Sequence, residues 1–193
     1  RELGSVVHLH LAEDGTDGED ARGRGYAGSL ERLLALKALP AGSLLAHGVH
    51  LTADEVRSCA RHGLWLIRNP RSNRANGVGA PRHLELTDRA ALGTDGFPST
   101  MAAETAELGA ADGSNLLAGG ERLFDERFGS GGVACDRAPG TDNTRQLVVD
   151  GRTIVQDGVL MSANRDMLEA TARTHAKRLW GLMAEHAGGG DHE

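Results

Sequence analysis

Val6-Val7-His8-Leu9-His10-Leu11-Ala12-Glu13 is a short apolar run that ends on an imidazole and, three residues later, a carboxylate. Two further runs of this kind follow. Ser43-Leu44-Leu45-Ala46-His47-Gly48 ends on a second imidazole, and Ala90-Ala91-Leu92-Gly93-Thr94-Asp95-Gly96 on a second carboxylate. Short apolar runs bounded by turn signals read as buried strands. His10, Glu13, His47 and Asp95 thus stand at the ends of successive strands, where they can converge on one point above a parallel sheet or barrel.

The segments between these runs supply the rest of the pattern. Residues 15–28 are polar, acidic and Gly-rich, and are expected to form a loop. Leu30, Leu33, Leu34, Leu36 and Leu39 recur at helical spacing, with Ser29 as the expected N-cap. Pro40-Ala41-Gly42 stops that helix. Thr52 and Glu55 make a capping box for the next one, which closes at His62-Gly63. Leu64-Trp65-Leu66-Ile67 is one more apolar run, leading into a loop at Asn69-Pro70, and residues 82–89 read as a short polar helix or loop. Strands alternating with helices demand a parallel sheet with covering helices.

Beyond Pro98 the pattern weakens. Residues 101–111 and 115–128 read as helices, the second with Leu116, Leu117, Leu123, Phe124 and Phe128 on its apolar face. The stretch 129–144 reads as a Gly-rich linker. Residues 145–187 read as a β-hairpin turning at Gly151-Arg152 and a final amphipathic helix. Met167, Leu168, Ala172, His175, Leu179, Leu182 and Met183 share one side of that helix. The tail, 188–193, is expected to be disordered.

Composition narrows the function classes. With 193 residues the chain can bury a substantial core but is short for a full (β/α)8 barrel, which takes about 250. A net charge of −6 argues against a nucleic-acid partner. Arg71, Arg74 and Arg82 read as a solvated loop cluster. No apolar stretch approaches the ~20 residues that span a bilayer, so no membrane partner is expected. Cys59 and Cys135 form neither a disulfide framework nor a metal clip, and a reducing, cytoplasmic setting is expected. The absence of an initial Met, with a strand almost at once, reads as a cut start.

The four polar residues allow a specific chemistry. An imidazole at His10 can bind Zn²⁺ or Fe²⁺, and Glu13 can carry protons to and from a water on the metal. Asp95, between Thr94 and Gly96, can coordinate the metal or take a proton from its water. His47 can polarise the bond under attack or hold the leaving group. This is the equipment of a mononuclear metal hydrolase, in which the metal lowers the pKa of its water to about 7. His8, alternating with His10, is read as a structural residue on the opposite side of the strand.

His10-Leu-Ala-Glu13, Ala46-His47-Gly-Val-His-Leu, Asn69-Pro-Arg-Ser-Asn73 and Leu92-Gly-Thr-Asp95-Gly96 resemble, in order and spacing, the amidohydrolase superfamily. The branch is that of cytosine and guanine deaminases and triazine chlorohydrolases. Gly25-Tyr26 and the stretch 69–79 look most like its SsnA-like aminohydrolases. The resemblance implies an α/β fold of the (β/α)8 TIM-barrel metal-dependent hydrolase type. Only its C-terminal half, strands five to eight, falls in residues 1–128, followed by a remnant of a small β-sandwich element and the C-terminal helix. It further implies His10 and Asp95 as metal ligands, and Glu13, His47 and Asp95 as catalytic groups. His47, Asn69, Ser72 and Asn73 are implied as substrate-binding, the last three on a loop that shapes the pocket floor. One divalent ion, Zn²⁺ first and Fe²⁺ second, is the implied cofactor. The implied reaction is cleavage of a C–N bond in a small nitrogen heterocycle by metal-bound hydroxide.

The departures from the family pattern are specific. The first-strand His-x-His that supplies two ligands has no counterpart, and Arg68 stands where relatives often carry His. The expectation is therefore a fragment, a set of pieces of a larger protein, or a half-barrel that pairs with its own copy or with a missing N-terminal half. Two other functions stay open: chlorohydrolase chemistry of the same branch, and a catalytically inactive half-barrel serving as an assembly module. The smaller zinc deaminases are disfavoured, because no Cys pair has the Pro-Cys-x-x-Cys spacing.

Overall fold

A computed structural model describes residues 5–128, 133–137, 144–149 and 151–187. The chain divides into two compact units, Arg1–Ser130 and Gly131–Glu193.

The first unit is built as β1 (His8–Leu11), α1 (Thr16–Gly23), α2 (Ser29–Ala35), β2 (Leu44–His47), α3 (Ala53–Arg61), β3 (Trp65–Arg68), α4 (Pro70–Asn76), a 3-10 turn (Leu84–Leu86), β4 (Ala90–Leu92), α5 (Met101–Ala106) and α6 (Ala110–Phe128). The four strands form one parallel sheet in the order β1-β2-β3-β4. The pairing Leu11↔His47 brings the ends of β1 and β2 level, and Arg68↔Leu92 does the same for β3 and β4. All four strands therefore deliver their C-terminal residues to one rim.

One face of the sheet carries the main core. Leu11, Leu45 and Leu66 pack there with Leu30 of α2, Val56 and Cys59 of α3, and Leu51 and Leu64. Burying each Leu or Val contributes about 1.5–3 kcal/mol. The other face carries Trp65, Ile67 and Ala91, with Leu44 and Leu123 against them. α3 starts as its sequence dictates: Thr52 Oγ1 accepts from the Glu55 amide at 3.3 Å, and Glu55 returns a carboxylate to the Thr52 amide at 2.9 Å.

Several local expectations fail for identifiable reasons. Residues 15–28 contain α1 rather than a continuous loop. Asp14 accepts from the Thr16 amide, Asp17 and Glu19 suit the positive end of the helix dipole, and Asp20 pairs with Arg24 and Arg32. Its one buried residue, Ala21, leaves no periodic signal to read. The N-cap of α2 is Gly28, not Ser29, which is buried as the first helical residue. The expected loop after β3 is the helix α4, opened by Pro70 and closed by Gly77 at φ +66°. His8 and His10 share one face of β1, both exposed, because side chains two apart along a strand point the same way.

The second unit is an antiparallel sheet, β5 (Val133–Arg137), β6 (Thr144–Val149), β7 (Arg152–Gln156) and β8 (Val159–Leu160), followed by α7 (Arg165–Ala187). The expected linker at 129–144 therefore contains a strand, and the expected hairpin is the middle of a four-stranded sheet. β5 shows no sequence signal of burial, since only pairing to β6 makes it a strand. Asp157 and Gly158, at φ +51° and +80°, make the two-residue turn between β7 and β8. The Asn164 side chain caps α7 by accepting from the Met167 amide at 2.9 Å. Met167, Leu168, Leu179, Leu182 and Met183 of α7 are exposed. The expected disordered tail, 188–193, lies outside the described residues.

Candidate active site

His10 stands on β1 itself, and a break in strand geometry places each of the other three polar residues at the rim. Ala12 turns left-handed at φ +51° straight after β1, and its amide donates to Asp17 Oδ2 at 2.8 Å, so the chain swings Glu13 back over the strand end. His47 closes β2 at φ +73° and Gly48 follows at φ +59°. Asp95 lies three residues past β4 at φ +49°. Left-handed backbone at a non-glycine residue costs about 1–3 kcal/mol and gathers where function over-determines the fold. Just past β4 only glycine fits at position 93, whose amide still donates to the Arg68 carbonyl of β3, because a Cβ would collide with the Asn69 side-chain oxygen and with Ile67.

These breaks gather the four residues that the sequence singled out. The ring centroids of His10 and His47 are 4.7 Å apart, edge to face. Glu13 Oε2 lies 3.7 Å from His10 Nδ1 and 3.5 Å from His47 Nε2. Asp95 Oδ2 lies 3.8 Å from His47 Nε2. One ligand atom from each of His10, Glu13 and His47 falls within 4.8 Å of the other two, the spacing of a cation site. Asp95 borders this trio through His47.

Burial divides the group. His10 has a side chain 62% exposed, whereas His47 is fully buried. The Nε2 atom of His47 has no hydrogen-bond partner, although it faces two carboxylates. A buried polar atom without a partner is rare and calls for a group to satisfy it. The donor set around it, imidazole nitrogen and carboxylate oxygen, suits a divalent cation such as Zn²⁺. The Ser72 hydroxyl, donating to Asp95 Oδ2 at 2.5 Å, holds the Asp95 carboxyl below its ordinary range; the Gly96 amide, His47 and His10 act in the same direction against desolvation.

Asn69, Ser72 and Asn73 are all buried. Asn73 Oδ1 lies 2.8 Å from His47 Nδ1, and Asn69 Nδ2 lies 3.4 Å from the same nitrogen. Asn76, which sequence reading passed over, donates to Glu13 Oε1 at 3.4 Å. Arg71, expected to be solvated, instead turns inward: Glu104 is fully buried, 2.6 Å from Arg71 Nε, and also accepts the Arg71 amide. A cavity of about 550 Å³ lies elsewhere, lined by Arg68, His83, Asp88, Asp112 and Arg122 among others, and none of the four rim residues lines it.

No family model matches the chain. It is 34% identical over 110 residues to a 5-methylthioadenosine/S-adenosylhomocysteine deaminase of Moorella thermoacetica, covering 53% of this chain and 26% of that protein. A protein of the same name from Thermococcus sibiricus is 31% identical over 101 residues, 51% of this chain and 24% of its own. Among solved structures, an adenosine deaminase from Xanthomonas campestris with bound zinc superposes with TM-score 0.65 at 19% identity, over 93% of this chain and 52% of its own. Atrazine chlorohydrolase from Arthrobacter aurescens complexed with zinc gives TM-score 0.65 at 16% identity, over 90% and 49%. The chain thus spans about a quarter of its curated relatives and about half of its solved neighbours. Over that half the chain shares the fold of these two zinc-bound hydrolases, and the two relatives it matches in sequence are named deaminases.

Proposed function

We propose that the chain contributes the His10, Glu13, His47 and Asp95 side of the active site of a metal-dependent hydrolase acting on a C–N bond of a nitrogenous ring. The reading is carried by His47 Nε2, buried and unpartnered, facing Glu13 and Asp95 with His10 alongside. His10 and Asp95 are the residues to hold a divalent cation, Zn²⁺ by the precedent of the zinc-bound neighbours, with Fe²⁺ suiting the same donors. When bound, the cation supplies the charge that brings the pKa of a water molecule near 7.

The chain's own residues then have separable tasks. Asp95, held in its anionic form by Ser72, accepts a hydrogen bond from the attacking water. Glu13 moves a proton to the ring nitrogen next to the attacked carbon, being near both imidazoles and partly open to solvent. His47 offers Nε2 to the water or the departing group. The water oxygen bonds to the ring carbon, the exocyclic C–N bond breaks, and the amino group leaves as ammonia with the transferred protons. The deaminase relatives point to an adenine-bearing nucleoside as the first substrate class to try. Association with a second copy or with an N-terminal half-barrel, in the cytoplasm, completes the reading.

The test is metal content and ammonia release in the full chain. The panel holds 5-methylthioadenosine, S-adenosylhomocysteine, adenosine, guanine, cytosine and amino- and chlorotriazines. Zinc-dependent ammonia release that Asp95→Ala abolishes is the expected result. Release that survives this substitution refutes the assignment, and chloride release from the chlorotriazine alone selects the chlorohydrolase reading.

A further inference from the structure

α4 presents three side chains to three different rim residues. Ser72 donates to Asp95 Oδ2 at 2.5 Å, Asn73 Oδ1 faces His47 Nδ1 at 2.8 Å, and Asn76 donates to Glu13 Oε1 at 3.4 Å. The helix is itself clamped, because buried Glu104 of α5 binds both the side chain and the backbone amide of Arg71. Ser72 and Asn73 are 3% exposed, and each meets a rim group through its side chain.

The contact to His47 has a chemical consequence. A neutral imidazole carries one proton, on Nδ1 or on Nε2, and the partner of one nitrogen decides the state of the other. Two amides compete for Nδ1. The Asn73 oxygen at 2.8 Å can only accept, which requires a proton on Nδ1; the Asn69 nitrogen at 3.4 Å can only donate, which requires a lone pair there. The Glu13 and Asp95 carboxylates, 3.5 and 3.8 Å from Nε2, draw the proton the other way but form no hydrogen bond there, so the 2.8 Å contact to Asn73 is the strongest of the four. We propose that Asn73 is a positioning residue that fixes His47 as the Nδ1–H tautomer, leaving the Nε2 lone pair aimed at the space between Glu13 and Asp95. The assignment of Nε2 as a working atom rests on the hydrolase reading above; the tautomer itself does not.

The experiment is ¹⁵N NMR of histidine-labelled full chain without added metal, at a pH where His47 is neutral, with His47 identified by difference against His47→Gln. In the wild type the Nε2 resonance should have the shift of an unprotonated ring nitrogen. In Asn73→Ala the Asn69 amide becomes the remaining partner of Nδ1, so the proton should move to Nε2 and its resonance should shift upfield. Asn73→Asp, which still accepts from Nδ1, should restore the wild-type pattern, and Asn69→Ala should leave it unchanged. A wild-type proton on Nε2 overturns the proposal, as does the same tautomer in wild type and Asn73→Ala. Should Asn73→Ala fail to fold, the wild-type and Asn73→Asp spectra decide the matter. In the activity assay, Asn73→Ala should lower kcat by about 10–100-fold at nearly constant KM. A change confined to KM makes Asn73 a substrate contact and overturns the positioning role. Correct tautomers in a chain that releases no ammonia sink the hydrolase reading and uphold the tautomer assignment.

Discussion

At the scale of single residues, two cysteines show how place outweighs identity. Cys59 packs in the core beside Val56 and Leu64, and burial, with the nearby Glu55 charge, pushes its thiol up to about 12. Cys135 is exposed on β5. At pH 8 a thiol reagent should label Cys135 in the native chain and reach Cys59 only after denaturation, as peptide mapping will show; equal labelling contradicts the fold around α3. The raised thiol also sets a stability trend. Between the ordinary value of 9.0 and about 12 the folded state holds a proton that the unfolded state has released, so stability falls as pH rises through that window. The rim residues follow the same lesson. His10, Glu13, His47 and Asp95 were legible because each is a polar residue stranded at the end of an apolar run. Asn76 was not, since one Asn in a polar stretch carries no sign of its neighbour Glu13 until α4 folds.

Elements obey local rules where those rules are strong and tertiary demands where they are weak. The capping box of α3 was written into Thr52 and Glu55. α4 carried Pro at its start and Gly at its end, a signal sufficient for a helix that the apolar pattern did not suggest. The Arg71–Glu104 pair then docks α5 on α4, and removing one member leaves a buried charge. Glu104→Ala should cost about 3–5 kcal/mol in denaturant unfolding and weaken the Ser72 and Asn73 contacts with it. A loss below about 1 kcal/mol shows that the carboxylate does not hold the helices. α6 offers a sharper contrast. A Cβ at Gly119 would collide with the Ala90 carbonyl oxygen of β4, while one at Gly120 meets open space. Gly119→Ala should destabilise by about 1–3 kcal/mol. Its neighbour Gly120→Ala should stabilise by about 0.5–1 kcal/mol, the ordinary helical gain. Equal effects contradict the packing of α6 on β4.

Across the whole molecule, the parallel unit and the antiparallel unit differ in what they hold. Only the first gathers a candidate cation site among the described residues, so zinc held by His10 and Asp95 should slow amide hydrogen exchange at the C-terminal ends of β1 and β4 and leave β6 and β7 unchanged. Uniform protection, or none, removes the metal from the proposed site. Sequence alone determined the α/β alternation and the four rim residues, since buried strands and their polar ends declare themselves in one dimension. It did not determine β5, α1 or the service that α4 performs. Those depend on partners distant along the chain: β6 for β5, Arg32 for α1, and His47, Asp95 and Glu104 for α4. A hydrogen bond across 26 residues, such as Asn73 to His47, leaves no local periodicity to read, so only the folded sheet could decide which nitrogen faces the site.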